Sequence, residues 1–265
     1  MGSFSTPLGV HGNVAGLVFK KDGTVAKKPI GLSGKQIRSN PKYIRIRENN
    51  QEFAGAVQIA TKLRHSLSFN RVTMDKHVVG RLNKHFREIL AADTVNERGK
   101  RSVLLTDNPG PLLDFQFHAM SPVDTRLRGL YSVAVDSGRT GATLTLPAFN
   151  GQADFSFPPG ATHVTIGIGV VALSNYHYNP GTKAYTPVEA IANGNYAYAQ
   201  SAYFANSATA VAAVTLHAAL PTGVTLTADD SLIVVLDVKF WQLLNGVYYF
   251  FEQGQSMKIA LVATA

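Results

Sequence analysis

The residues "GIGVVA" (167–172) fit Gly-x-Gly-x-x-Ala, the spacing with which a dinucleotide fold cradles a pyrophosphate. That chemistry needs a helix opening directly behind the glycines, so that its first N–H groups meet the phosphate. Here Val and Ile alternate with the glycines and no helical pattern follows. The spacing instead predicts a strand, with Gly167 and Gly169 leaving a bare strip for an aromatic ring or another backbone. Eight histidines invite a metal reading, but His77 and His85 stand eight apart on one predicted helix, and no His-x-x-x-His, Glu-x-x-His or EF-hand loop occurs. There is no Gly-x-Ser-x-Gly elbow and no cysteine, and Ser, His and Asp are scattered. Asp229-Asp230 precedes a strand and reads as a turn. The sequence therefore nominates no catalytic, metal-binding or cofactor-binding residue, and no cofactor is expected.

Two constellations remain. Tyr176, Tyr178, Tyr185, Tyr196, Tyr198 and Tyr203 crowd one Asn- and Gly-containing segment. Tyr joins an apolar ring to a polar tip, which suits a partner surface or sugar stacking. The other is charge. Residues 1–101 hold 19 Lys and Arg against 7 Asp and Glu, a balance of +12; residues 102–265 hold 6 against 10, a balance of −4, giving +8 overall. In the basic part, Arg64, Arg71, Arg81, Lys84 and Arg87 are candidate phosphate contacts. No helix-turn-helix spacing or aromatic RNA-binding motif accompanies them.

The elements that must position these residues fall into two parts. Residues 12–30 read as a β-hairpin, Val14 to Phe19 and Thr24 to Lys28 flanking an Asp22-Gly23 turn. Residues 31–43 read as a connecting loop. Asn49 and Glu52 have the spacing of a capping box, and Phe53, Val57, Ala60, Leu63 and Leu67 recur at helical period behind them. A second helix opens near Thr73 or Asp75, with Val78, Val79, Leu82, Phe86, Ile89 and Leu90 as its apolar stripe and a basic outer face. "NERGKR" (96–101) breaks the pattern and marks a boundary.

Beyond it the period changes to two. Leu144 and Leu146 oppose Thr143 and Thr145; Val164, Ile166, Ile168 and Val170 share a face, as do Leu232, Val234, Leu236, Val238 and Phe240. By that alternation Asp237 and Lys239 face outward. Asn245-Gly246 signals a hairpin, and a terminal strand follows with Met257, Ile259 and Leu261 on one side. The stretch 205–219 alternates Ala with Val and Thr and reads as strand.

"GNVAGLVF", "RENNQEF", "ATHVTIGIGVVAL" and "LIVVLDVKFWQLLNGVYYFF" together resemble a group of uncharacterised bacterial proteins common in Bacteroidota. The resemblance implies an N-terminal glycine-rich hairpin, a helical segment and a C-terminal β region. It carries no activity and no functional residues.

The reading is an α+β, mostly β chain: a basic hairpin and two-helix segment (1–101), then an antiparallel β-sandwich, immunoglobulin-like or related (102–265). The function expected is structural and non-enzymatic: self-association into a filament, tube or virion-like assembly through the N-terminal arm, with Val14, Leu17, Val18, Arg45 and Arg47 at the contact. Unlike surfaces meeting head to tail generate rings or open polymers. Other copies of the chain are the expected partners; nucleic acid and a glycan are the alternatives. No standard signal peptide and no apolar run long enough to span a bilayer is present, so membrane insertion is not expected. The compartment stays open, an extracellular or virion assembly being compatible.

Overall fold

The computed structural model describes residues 3–4, 10–14, 17–19, 25–27 and 33–265, with side chains at 17–19 and from 33 onward apart from 71 and 72. The chain is mostly strands in antiparallel sheets, with a few helices. It divides into two compact units, Met1–Arg47 and Glu48–Ala265.

The first unit holds four short strands, β1 (Ser3–Phe4), β2 (Val10–Val14), β3 (Leu17–Phe19) and β4 (Val25–Lys27), paired in sequence order. Of the expected hairpin, Leu17–Phe19 and Val25–Lys27 pair as β3–β4, but Val14, expected to begin the same strand as Leu17, ends β2 and pairs with Leu17 across to β3; the Asp22-Gly23 turn lies outside the described residues. The expected loop over 31–43 contains helix α1 (Gly34–Ser39). Ser33 accepts a hydrogen bond from Gln36 N while the Gln36 side chain accepts from Ser33 N, a capping box that the sequence reading placed instead at Asn49 and Glu52. Helix α2 (Ile44–Ser66) begins five residues before Asn49, which leaves both of those residues inside it.

In the second unit, α2 and α3 (Val78–Ala91) lie on one face of the main sheet. Short helices α4 (Val123–Arg126) and α5 (Gly151–Asp154) flank the smaller strands β5 (Ser132–Val135), β6 (Gly141–Leu146) and β7 (Phe149–Asn150). Then come β8 (His163–Ser174), β9 (Tyr176–Asn179), β10 (Ala184–Pro187), β11 (Tyr196–Gln200), β12 (Phe204–Ala205), β13 (Ala210–Val211) and β14 (Val214–Ala219). The long hairpin β15 (Asp230–Leu244) and β16 (Val247–Ala263) ends the chain. The main sheet runs β11-β8-β15-β16, with β12 also on β8; a second sheet runs β14-β6-β5. Asn245 and Gly246 close the long hairpin with φ of 50° and 79°, the pair of positive angles that a tight two-residue turn requires.

The main sheet has no solvent face at its centre. Leu232, Val234, Leu236, Val238 and Phe240 pack with Ile166, Ile168, Leu144 and Leu146 between the two sheets. Their neighbours Ile233 and Val235, with Val171, Leu173, Met257 and Ile259, meet Ala56, Ile59, Leu63, Leu82 and Phe86 of the helices. The compact units thus do not divide near residue 101. A pair of amphipathic helices needs an apolar surface, and the sheet supplies it.

Three expectations change with this second cover. Asp237 and Lys239 do not face water: they lie on the helix-covered face and are buried. The buried stripe of α2 is Ala56, Ile59, Ala60 and Leu63, while Phe53 is exposed; the Tyr185 ring packs against Gly55, where a side chain would not fit. Leu261 leaves the face of Met257 and Ile259. Ile259 pairs with Val235 and Leu261 with Val234, so Ala260 is an extra residue in a β-bulge and the alternation inverts beyond it.

Two-sided burial has a direct test. Leu232→Ala and Ile233→Ala alter adjacent residues on opposite faces, both fully buried. Each is expected to cost about 2–5 kcal/mol in urea unfolding. A sheet with one wet face would spare one of them.

Candidate functional site

Polar side chains inside apolar strands are costly unless partnered, so their surroundings point to what the chain holds in place. Asp237 and Lys239, two apart on β15, project from the same face. Lys239 Nζ lies 3.5 Å from Asp237 Oδ1, 2.7 Å from the Tyr198 hydroxyl and 3.3 Å from Gln200 Oε1. The Tyr198 hydroxyl is 3.3 Å from Asp237 Oδ1, and Lys239 Nζ is 4.7 Å from the centre of the Tyr198 ring. Phe69 packs on that ring at 4.6 Å. The bare strip expected at Gly167 and Gly169 is what admits these groups: a Cβ on Gly167 would strike the Tyr198 ring and Asp237 carboxylate, and one on Gly169 would lie 3.1 Å from the Phe69 ring. Burial pushes the Asp237 carboxyl up, with Lys239 opposing it. Burial and the Asp237 charge push the Tyr198 hydroxyl up. The cluster is a locked charge pair under an aromatic cover.

A second polar knot ties the turn after α3. Asp93 accepts hydrogen bonds from Val95 N (2.9 Å) and Asn96 N (3.1 Å) on one oxygen, and from Ser102 N and Asn96 Nδ2 (both 2.7 Å) on the other. Burial alone would raise its pKa; these donors override that and hold it at about 2. Ser102 Oγ lies 2.7 Å from His177 Nδ1. A hydroxyl beside an imidazole resembles an activated nucleophile. Ser102 is only 2% exposed, however, and the bond fastens this turn to β9. The two residues are 75 positions apart, which is why no motif announced them.

The third feature is open. α2, α3 and the turn 97–101 enclose a cleft of about 350 Å³ lined by Glu52, Lys84, Arg87, Glu88, Arg98 and Arg101, with Leu90 on its wall. Lys84 and Arg87 share one helical face at i, i+3 spacing. Glu52 accepts a hydrogen bond from Gly99 N at 2.7 Å, which holds the turn against α2.

The residues singled out from the sequence separate in space. Lys84 and Arg87 line this cleft, whereas Arg64 lines another, with His65, Met74 and Lys76. Arg81 is committed to Asp75 (2.7 Å) and to the carbonyls of Gln116 (2.6 Å) and Phe117 (3.2 Å). The Arg71 side chain lies outside the described residues. Of the tyrosines, Tyr176 and Tyr185 are buried, Tyr178 and Tyr198 are half-buried, and Tyr196 and Tyr203 are exposed. Tyr203 stacks on Tyr248 at 3.8 Å with Trp241 edge-on, a cluster built from both arms of the long hairpin. In the first unit, Leu17 and Val18 lie on β3, and Val14 ends β2 with its side chain outside the described residues. Arg47 donates to the Ile37 and Asn40 carbonyls (2.8 and 2.9 Å), satisfying the end of α1, and Arg45 is exposed.

Comparison with protein-family models, curated proteins and solved structures finds no match to this chain. Among the described residues, no helix is long and apolar enough to cross a membrane, and no group of three His, Asp or Glu side chains is placed to hold a metal ion.

Two outcomes follow from the polar knots. Lys239→Met leaves Asp237 buried without its cation and is expected to cost about 3–5 kcal/mol, while the double change with Asp237→Asn recovers much of that loss in a double-mutant cycle. A loss in the double variant equal to the sum of the two single losses would mean that the pair is not coupled. For Asp93, the folded pKa lies below the ordinary 3.8, so its contribution is present in full above that value and is lost as pH falls toward about 2. Asp93→Asn is expected to cost on the order of 2 kcal/mol at neutral pH, with the gap to wild type closing through that window in urea titrations. A gap independent of pH would remove the carboxylate's charge from the account.

Proposed function

We propose that this chain is a non-enzymatic structural subunit that self-associates into a larger assembly, a filament, tube or virion-like shell, using its N-terminal unit as connector. One observation carries the reading. Among the described side chains of Met1–Arg47, none is buried. Leu17, Ile44 and Ile46 keep 41%, 50% and 36% of their surface exposed. Short two- to five-residue strands with an unburied apolar set are marginal alone and gain from a second surface. A neighbouring copy supplies one, and the opposed charges of 1–101 and 102–265 favour contact between unlike faces.

Light scattering of the full-length protein across concentration tests this. Large species are expected, shrinking on Leu17→Lys with Ile44→Lys, while far-UV dichroism stays unchanged because substitutions at exposed sites usually move stability by about 0.5 kcal/mol or less. A full-length protein that is monomeric at every concentration and salt would overturn the reading; large species indifferent to both changes would reject the N-terminal connector.

A further inference from the structure

We propose that the cleft between α2, α3 and the turn 97–101 binds a phosphate-bearing small molecule. The proposal stands apart from the assembly reading and rests on the cleft alone.

Four cations line it, Lys84, Arg87, Arg98 and Arg101, against two carboxylates, Glu52 and Glu88. The ion pairs around it are long: Lys84–Glu88 at 3.8 Å, Arg98–Glu48 at 3.8 Å and Arg101–Glu52 at 3.9 Å. Those separations exceed hydrogen-bond reach, so the cationic groups retain donors for another anion, although one Arg98 N–H is already given to Asn49 Oδ1 at 2.9 Å. Arg101 adds a second sign: its Nε is buried with no hydrogen-bond partner, an arrangement that is unfavourable until an acceptor arrives. Glu52 is already engaged by Gly99 N, which weakens its claim on Arg101.

The chemistry of the lining selects the ligand. Guanidinium groups present paired N–H donors that match phosphate oxygens. Four cations against Glu52, Glu88 and the adjoining Glu48 leave a net positive charge, and the paired guanidinium donors suit a phosphomonoester better than a single carboxylate. Leu90 offers an apolar wall for the carbon portion. A volume near 350 Å³ lies at the small end of ligand pockets. A nucleic-acid strand would need this charge to continue along the surface, yet Arg81 is spent on Asp75 and two backbone carbonyls, and Arg64 lines a different cleft.

Calorimetric titration of the full chain with pyrophosphate, with adenosine 5′-monophosphate and with a short single-stranded oligonucleotide tests the proposal. Saturable one-to-one binding of one or both small probes is expected. The double variant Lys84→Glu, Arg87→Glu, at exposed positions, is expected to lower that affinity at least about tenfold without shifting the melting temperature of the ligand-free protein. Arg64→Glu in the other cleft is expected to leave it unchanged. Neither small probe binding, or binding that the double variant does not alter, would overturn the proposal. So would an oligonucleotide that binds far more tightly than both probes with a steep salt slope, which would make the surface a strand-binding one.

Discussion

The β15 strand is covered on both sides, and most of the second unit follows from that constraint. One side meets the small sheet β14-β6-β5 and the other meets α2 and α3. A strand in this position cannot discharge its polar residues into water, so partners within the fold must offset the burial of its charges. β15 carries ten consecutive residues, Ser231 to Phe240, with almost no exposure, and two of them are charged. Asp237 and Lys239 persist because they meet each other, Tyr198 and Gln200 at bonding distance.

This solution reaches into neighbouring elements. Tyr198 comes from β11 and crosses β8 to reach Asp237, which is possible only because Gly167 and Gly169 have no side chains there. The space over the glycines is then closed by Phe69, from the segment joining α2 to α3. The glycines, the charge pair and the helix junction form one arrangement. Removing one partner strands the others in a low-dielectric interior, where an unpaired charge costs several kcal/mol.

The surfaces proposed for recognition draw on other residues than this locked centre. The open cleft is held by α2, α3 and a turn fastened through Asp93 and Glu52, a rigid frame for long, exposed basic side chains. The N-terminal unit keeps its apolar residues accessible. Packing rigidity and surface availability are therefore divided between different residues, as expected where recognition sits on a scaffold rather than in its core.

Local pattern was enough for local structure. Alternation located the core strands, Asn245-Gly246 placed the hairpin turn, helical spacing located α3, and the paired glycines implied close packing by an aromatic ring or another backbone, of which the ring is what the structure shows. These features depend on neighbours within a few residues, and the sequence carries them directly. Other features rest on distant neighbours. Period two says that Asp237 and Lys239 share a face, but not that a helical layer covers it. It cannot foresee the extra residue at Ala260 that turns Leu261 to the opposite side. Basic residues could be counted, but only the fold spent Arg81 on carbonyls at 116 and 117 and brought Arg101 beside Lys84 and Arg87. Alternation and spacing are properties of the chain; which faces meet, and hence which charges are buried and which remain available, is decided when the layers pack.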